Sequence, residues 1–347
     1  MKFAMMFAIA LASTAALAGR YQVISQHPHD VQDLAKYVKT VSQNGRLWIV
    51  EGNNIPASVM KHLRPLTGKE KSFTHITHNK LGAHPLISAT TQKLSESLIR
   101  DYVSKLAGYK TRLAGSEENR KATDDVEKNL NELGYATKQI CYTTGVCSII
   151  ADKKGLVSPE KVLMVEAHID SVGKDFAGAD DNASGTAVLL DMARVLSSYQ
   201  NKKSIRFFVT NGEEGGLLGA EHYAKSLRSS GAIKQLELVI NMDMVGWNSN
   251  GIVELETNPE YESLAKWFAE LATTYTTLKN KITLGAWGSD HVPFLKAGIP
   301  ALLTIELWDT KTPCYHKACD KPEGLNYGYA TEIGKLNVAA IMTKDLE

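Results

Sequence analysis

The stretch from His168 to Gly185, "HIDSVGKDFAGADDNASG", sets one His and four Asp directly after the apolar run "KVLMVEA". Carboxylates grouped at the edge of a core are costly unless a cation, a proton or another partner compensates them. Two more apolar runs lead into residues of the same kind: "SIRFFVT" into "NGEEGG", with Glu213 and Glu214, and "LELVINM" into Asp243. One carboxylate in such a place commonly caps a helix. Asp181 or Asn182 could cap a helix starting near Ser184, and Glu213 could favour the next helix start. Acids repeated at the ends of three runs are more than caps require.

Hard carboxylate oxygens and imidazole nitrogen suit zinc, and catalytic zinc sites keep a position for water. A carboxylate between two cations can bridge them, and a metal-held hydroxide is then a nucleophile at neutral pH. Such chemistry also needs a base for the water's proton, commonly a Glu beside the metals. Glu213 and Glu214 could supply base and ligand together only on a turn, because neighbours on a regular strand point oppositely. Gly215 and Gly216 permit that turn. For a further imidazole two candidates stand open: His291 in "GSDHVPFLKAGIP", where Ser289 and Asp290 could cap a helix, and His316 in "TPCYHKACD". "GSDH" does not indicate a serine hydrolase: it lacks the Gly-x-Ser-x-Gly elbow, and sequence adjacency does not make a triad.

The elements that must position these residues follow from periodicity. From about 86 onward, "SESLIRDYVSKLAG", "ENRKATDDVEKNLNELG", "TAVLLDMARVLSSY" and "LLGAEHYAKSLRSS" have helical period. "KVLMVEA", "SIRFFVT", "LELVINM" and "ALLTIEL" are short apolar runs bounded by turn signals, as strands are. Their alternation predicts a three-layer αβα sandwich around a mostly parallel, mixed central sheet. Ligands of open α/β sheets bind beyond the carboxyl ends of the strands, so the acids should converge there. Residues 19–85 differ and are expected to form a prosegment or N-terminal subdomain ahead of a catalytic domain at 86–347. "DVQDLAKYVKTV" reads there as a helix and "RLWIVEG" as a strand. Six of the ten His lie in that part (His27, His29, His62, His75, His78 and His84), without ligand spacing, and are expected on the surface.

The chain has 347 residues, 44% hydrophobic and 22% charged, enough apolar content for a large core. A net charge of +1 gives no support to nucleic acid or an anionic membrane as the main partner. Residues 1–18, "MKFAMMFAIALASTAALA", have the basic start, apolar run and small-residue ending of a secretory signal, with cleavage expected after Ala18. No later segment is long and apolar enough for a membrane anchor. A secreted protein is expected. Its four Cys fall as close pairs, Cys141 with Cys147 and Cys314 with Cys319. Of three possible connectivities local pairing is the simplest; the spacing is wrong for the usual zinc knuckle.

"HID", "GADDNASG", "NGEEGGLLGA", "NMDMVGW" and "PCYH" occur in this order over roughly 95–340. Together they resemble the secreted two-zinc aminopeptidases of the bacterial leucyl aminopeptidase type. The resemblance implies hydrolysis of peptides with a free N-terminus, with two Zn2+ per chain. It implies His168 and Asp243 on one zinc, Glu214 and His316 on the other, Asp181 as the bridge and Glu213 as general base. Asp170 would orient His168, and Tyr315 would polarise the oxyanion. Asp175 and Asp180 are left without a catalytic role, and His222 reads as solvated. A Cys314–Cys319 link would stiffen the loop carrying His316. Met244, Ile305 and Trp308 lie near these motifs, either lining an apolar pocket for a Leu-like residue or belonging to the core. A prosegment would assist folding or block the site until removed, as in a zymogen, and a monomer is expected. The same architecture also serves glutaminyl cyclases and carboxypeptidases, and non-catalytic binding ectodomains. Cyclases of this type generally use one zinc, a carboxypeptidase needs a basic clamp that these motifs lack, and a binding ectodomain would have lost ligands.

Overall fold

The computed structural model describes residues 19–24, 36–44, 47–52, 55–56, 64–65, 71–74, 82–248 and 250–347. The expected signal segment lies outside them, as do His27, His29, His62, His75 and His78. The chain divides into two compact units, residues 1–67 and 68–347, ahead of the division expected near 86.

In the first unit, β1 (Gly19–Ile24), β2 (Lys39–Asn44), β3 (Leu47–Gly52) and β4 (Arg64–Pro65) form an antiparallel sheet in the order β2-β3-β1-β4. The expected strand "RLWIVEG" is β3. The expected helix over "DVQDLAKYVKTV" differs in its described part, which is a turn followed by β2. The segment is rich in β-branched residues (Val38, Thr40 and Val41), which favour a strand, and Lys39 and Thr40 pair with Glu51 and Val50 of β3.

The second unit is a three-layer αβα sandwich. Its strands are β5 (Lys71–Thr74), β6 (Ala136–Thr143), β7 (Val146–Lys153), β8 (Ser158–His168), β9 (Lys203–Thr210), β10 (Leu236–Met242), β11 (Ile252–Thr257), β12 (Lys279–Leu284) and β13 (Ala301–Glu306). They run in the order β5-β12-β11-β13-β10-β8-β9-β7-β6. The central four, β13-β10-β8-β9, are parallel, and antiparallel strands flank them on both sides, which makes the sheet mixed. The helices are α1 (Pro85–Thr91), α2 (Glu96–Ala107), α3 (Glu117–Glu132), α4 (Gly185–Leu196), α5 (Leu218–Ser230), α6 (Glu262–Tyr275), α7 (His291–Lys296) and α8 (Tyr327–Leu346).

Strand β8 shows why these runs are apolar throughout. Leu163 and Val165 pack on one face with Ile99 of α2, Leu189 of α4, Phe268 of α6 and Leu336 of α8. Val162 and Met164 pack on the other with Tyr223 of α5 and Phe294 of α7. Successive side chains of a strand point to opposite faces, so a strand covered on both sides needs apolar residues at every position. Side-chain caps fix the helix starts: Ser95 and Ser116 accept from the N–H groups of Leu98 and Asn119, at 3.3 and 3.1 Å. Gly134, at φ 88°, follows the end of α3 and stops the helix, as expected.

The carboxyl ends of the central strands come level. His168 pairs with Thr210 of β9, and Met242 of β10 with Thr304 of β13. Both disulfides are local: Cys141–Cys147 joins β6 to β7, and Cys314–Cys319 closes a loop beyond β13. Among the described residues no helix is long and apolar enough to cross a membrane.

Candidate metal centre

Beyond the strand ends, two imidazoles and three carboxylates meet. His168 closes β8, and its Nε2 lies 3.3 Å from Asp181 Oδ1 and 3.3 Å from Asp243 Oδ1. His316 Nε2 lies 3.1 Å from Asp181 Oδ2 and 3.1 Å from Glu214 Oε2. Asp181 therefore gives one oxygen to each group. Within each triad, His168–Asp181–Asp243 and Asp181–Glu214–His316, the donor atoms all lie within 4.8 Å of one another. Tetrahedral zinc with bonds near 2.0–2.1 Å separates its ligands by about 3.3 Å, so the His–carboxylate pairs of both triads have the spacing of a zinc coordination edge.

The backbone explains how these atoms are held. Glu213 and Glu214 sit on the turn after β9, and their N–H groups donate to Asp170 Oδ1 and Oδ2, each at 3.1 Å. The Asp170 carboxylate thus fixes the Glu turn. Toward His168 its nearer atom is the backbone carbonyl, 3.2 Å from Nδ1, with the carboxylate at 3.6 Å. A proton on Nδ1 shared with that carbonyl leaves the Nε2 lone pair facing Asp181 and Asp243. The loop carrying Asp181 is anchored from outside: Asp320, next to Cys319, accepts the N–H groups of Asp180 and Asp181 at 2.8 and 3.0 Å. Asn182, joined to Asp181 by a cis peptide bond, donates to the Met242 carbonyl and caps Gly185. The cap at this helix start is therefore Asn182 rather than Asp181. Asp180 holds the N–H groups of Gly246 and Trp247, a structural task. Asp175 is exposed and pairs with Lys110.

Charge in this enclosure is unbalanced. Burial pushes the Glu213 carboxyl well above its usual range, and neighbouring acids add to the effect while His168 opposes it. Burial, with Asp181 adding, raises Glu214 to about 7 despite the His316 hydrogen bond. Burial works against charge on Asp181 too, but bonds to His168 and His316 outweigh it and hold that carboxyl below the usual range. His316 rises to about 10 because bonds to Asp181 and Glu214 overcome its burial. The field thus calls for positive charge beside each imidazole, the positions two divalent cations would take.

Of the two candidate imidazoles, the triads include His316. His291 opens α7, fully buried, with Nε2 3.6 Å from Glu256. Its neighbour Ser289 does reach the centre, donating to Asp243 Oδ2 at 2.7 Å while accepting from Asn241 Nδ2 at 2.7 Å. His222 is exposed on α5. Tyr315 stacks on His316 with ring centroids 3.7 Å apart and meets Trp308 edge-on at 5.2 Å. Met244, Leu303, Ile305 and Trp308 form a separate apolar cluster against which Tyr315 packs. Met244, Ile305 and Trp308 are buried, so they stand as core behind Tyr315 and not as the lining of an open pocket. Met244 and His316 adopt positive φ, 52° and 57°, a conformation non-glycine residues rarely take and one that clusters at functional sites.

Asn119, Asn211, Asp320 and Arg112 were not foreseen from the sequence, and Ser289 was foreseen only as a possible helix cap. Arg112 is fully buried and donates to the carbonyls of Leu106, Ile169 and Gly178 at 3.0, 2.7 and 2.9 Å. Nothing local marks such residues, because each acts through partners distant in sequence.

A model of peptidase family M28 matches residues 148–341. The aminopeptidase YwaD of Bacillus subtilis is 37% identical over 199 residues, 55% of this chain and 43% of that protein. This chain thus spans less than half of that relative's length. A probable zinc metalloprotease of Leptosphaeria maculans is 26% identical over 326 residues, covering 74% of this chain and 75% of that protein. Among solved structures, the LapA aminopeptidase of Legionella pneumophila has the same fold, with a TM-score of 0.72 at 18% identity, covering 95% of this chain and 99% of the other.

Proposed function

The chain belongs to peptidase family M28, and from that premise we propose that it is a zinc aminopeptidase that removes N-terminal residues, Leu-like ones best, from peptides. Relatives named as an aminopeptidase and a zinc metalloprotease support the reading. The observation that carries it is Asp181, one oxygen on each of two His-carboxylate groups, beside a turn bearing Glu213 and Glu214.

His168, Asp181 and Asp243 would hold one zinc, and Asp181, Glu214 and His316 the other. When bound, such a pair would supply Lewis-acid polarisation of the scissile carbonyl and would acidify the attacking water. Glu213, held through its own N–H by Asp170, takes the proton of the attacking water and returns it to the leaving amine. Tyr315, clasped between His316 and Trp308, donates from its hydroxyl as charge develops on the carbonyl oxygen. An apolar first side chain would rest beside Tyr315, which the buried cluster of Met244, Ile305 and Trp308 backs as an apolar wall. Residues 1–18 act as an export signal and 19–85 as a prosegment of a monomeric, secreted enzyme.

Glu213→Gln should keep its zinc and lose about 10²–10⁴-fold in kcat on a Leu-anilide. Near wild-type turnover in that variant would refute the base assignment. Preference of the wild-type enzyme for Glu-anilide over Leu- and Lys-anilides would refute the apolar wall.

A further inference from the structure

At the end of β9 two side-chain amides meet head to tail inside the protein. Asn119 of α3 and Asn211, which follows β9, are both fully buried. Asn211 Nδ2 donates to Asn119 Oδ1 at 2.9 Å, and Asn119 Nδ2 donates back to Asn211 Oδ1 at 3.3 Å. The remaining amide protons are also used: Asn119 donates to the Arg112 carbonyl at 2.9 Å and Asn211 to the Cys147 carbonyl at 3.1 Å. The Asn211 backbone is held as well. Its N–H donates to Ser148 Oγ at 3.2 Å, and its carbonyl accepts from the Tyr142 hydroxyl on the disulfide-closed β6–β7 hairpin. The packing leaves no slack: a Cβ on Gly219 would come within 2.7 Å of the Asn211 carbonyl oxygen.

Two residues after this knot stands Glu213. We propose that the Asn119–Asn211 amide pair is a positioning device for Glu213, setting where β9 ends and so where the base carboxylate stands; this rests on the reading of Glu213 as base. The same knot reaches the ligand loop. Asn119 holds the Arg112 carbonyl, and the Arg112 guanidinium holds the carbonyls of Ile169 and Gly178, on either side of Asp170 and just before Asp181. Asp170 in turn accepts the N–H groups of Glu213 and Glu214. The base turn and the bridging-carboxylate loop are thereby referenced to one buried frame. Amides are needed at both positions because each must donate and accept at once. An Asp at either sets acceptor against acceptor in a fully buried site.

The test compares Asn119→Asp, Asn211→Asp, the double variant and Tyr142→Phe with wild type in the full zinc-loaded chain. Three quantities are read: kcat and KM on a Leu-anilide, zinc content, and, after zinc removal, hydrogen exchange of the Glu213 and Glu214 amides. Each Asn variant should lose about 10–10²-fold in kcat, the scale of an ångström-level misplacement, with KM within about 3-fold and zinc retained. The double variant should be no worse than the poorer single one, since the two amides act as a unit. Tyr142→Phe, on the half-buried hairpin, should lose about 3–10-fold. The Glu213 and Glu214 amides should exchange faster in every variant. Unchanged kcat and exchange in folded, zinc-loaded single variants would overturn the proposal, as would a kcat loss that only follows lost zinc. Should both Asn variants fail to fold, Tyr142→Phe decides by the same two readouts. Glu213→Gln separates the two readings: if it retains turnover the base assignment has failed, and if it is inactive while the Asn variants are fully active only the positioning proposal has.

Discussion

Asp181 divides its two oxygens between two imidazoles far apart in sequence, one closing β8 and one on the loop beyond β13, and this division sets the electrostatics of the centre. Without cations the imbalance is met by protons, which is why His316 is held up to about 10 by Asp181 and Glu214 despite its burial. Removing one imbalance-sharing imidazole should therefore cost metal before it costs fold. His316→Ala should bind about one zinc where the wild type binds about two, counted by elemental analysis after dialysis. His291→Ala should keep the wild-type count, because that ring pairs with Glu256 and belongs to neither triad. Full zinc in His316→Ala would remove it from the ligand set. Both His stood as candidates from residue types alone, and the motif resemblance favoured His316. What sequence could not supply at this scale is the division of labour on Asp170, whose carboxylate fixes the Glu turn while its carbonyl meets His168.

Strand β8 carries the site at one end and the core along its length. Leu163, fully buried between β9 and β10, packs among α2, α4 and α8. Leu163→Ala should destabilise the chain by about 3 kcal/mol in chemical denaturation, with the zinc count of the surviving folded fraction unchanged. The central strands and α2, α3, α4 and α5 were legible because their periods differ, every position apolar against one face in three or four, whereas α1, α6 and α8 were not read from the sequence. The antiparallel flanks were not: β6–β7 and β11–β13 pair through contacts that hydrophobic pattern does not encode. The helix expected over "DVQDLAKYVKTV" gave way, in its described part, to a strand for the same reason, since a partner strand overrides weak local preference.

At the scale of the whole molecule, the compact units divide between Thr67 and Gly68, and β5 lies beyond that division as a sheet strand hydrogen-bonded to β12. Limited proteolysis should therefore leave a protected core whose N-terminus, read by sequencing, falls before Lys71; a core starting after Thr74 would show that β5 is dispensable to the sheet. The sequence by itself determined the strand-helix alternation, the local Cys pairing, and which residue types could hold zinc and move a proton, because each depends on period, spacing or side-chain chemistry. Only the tertiary structure decided that Asp320 anchors the Asp181 loop, that Ser289 steadies Asp243, and that Asn119 meets Asn211 beneath Glu213. Those contacts join residues tens of positions apart, and their energy comes from burying matched donors and acceptors together, which no single segment contains.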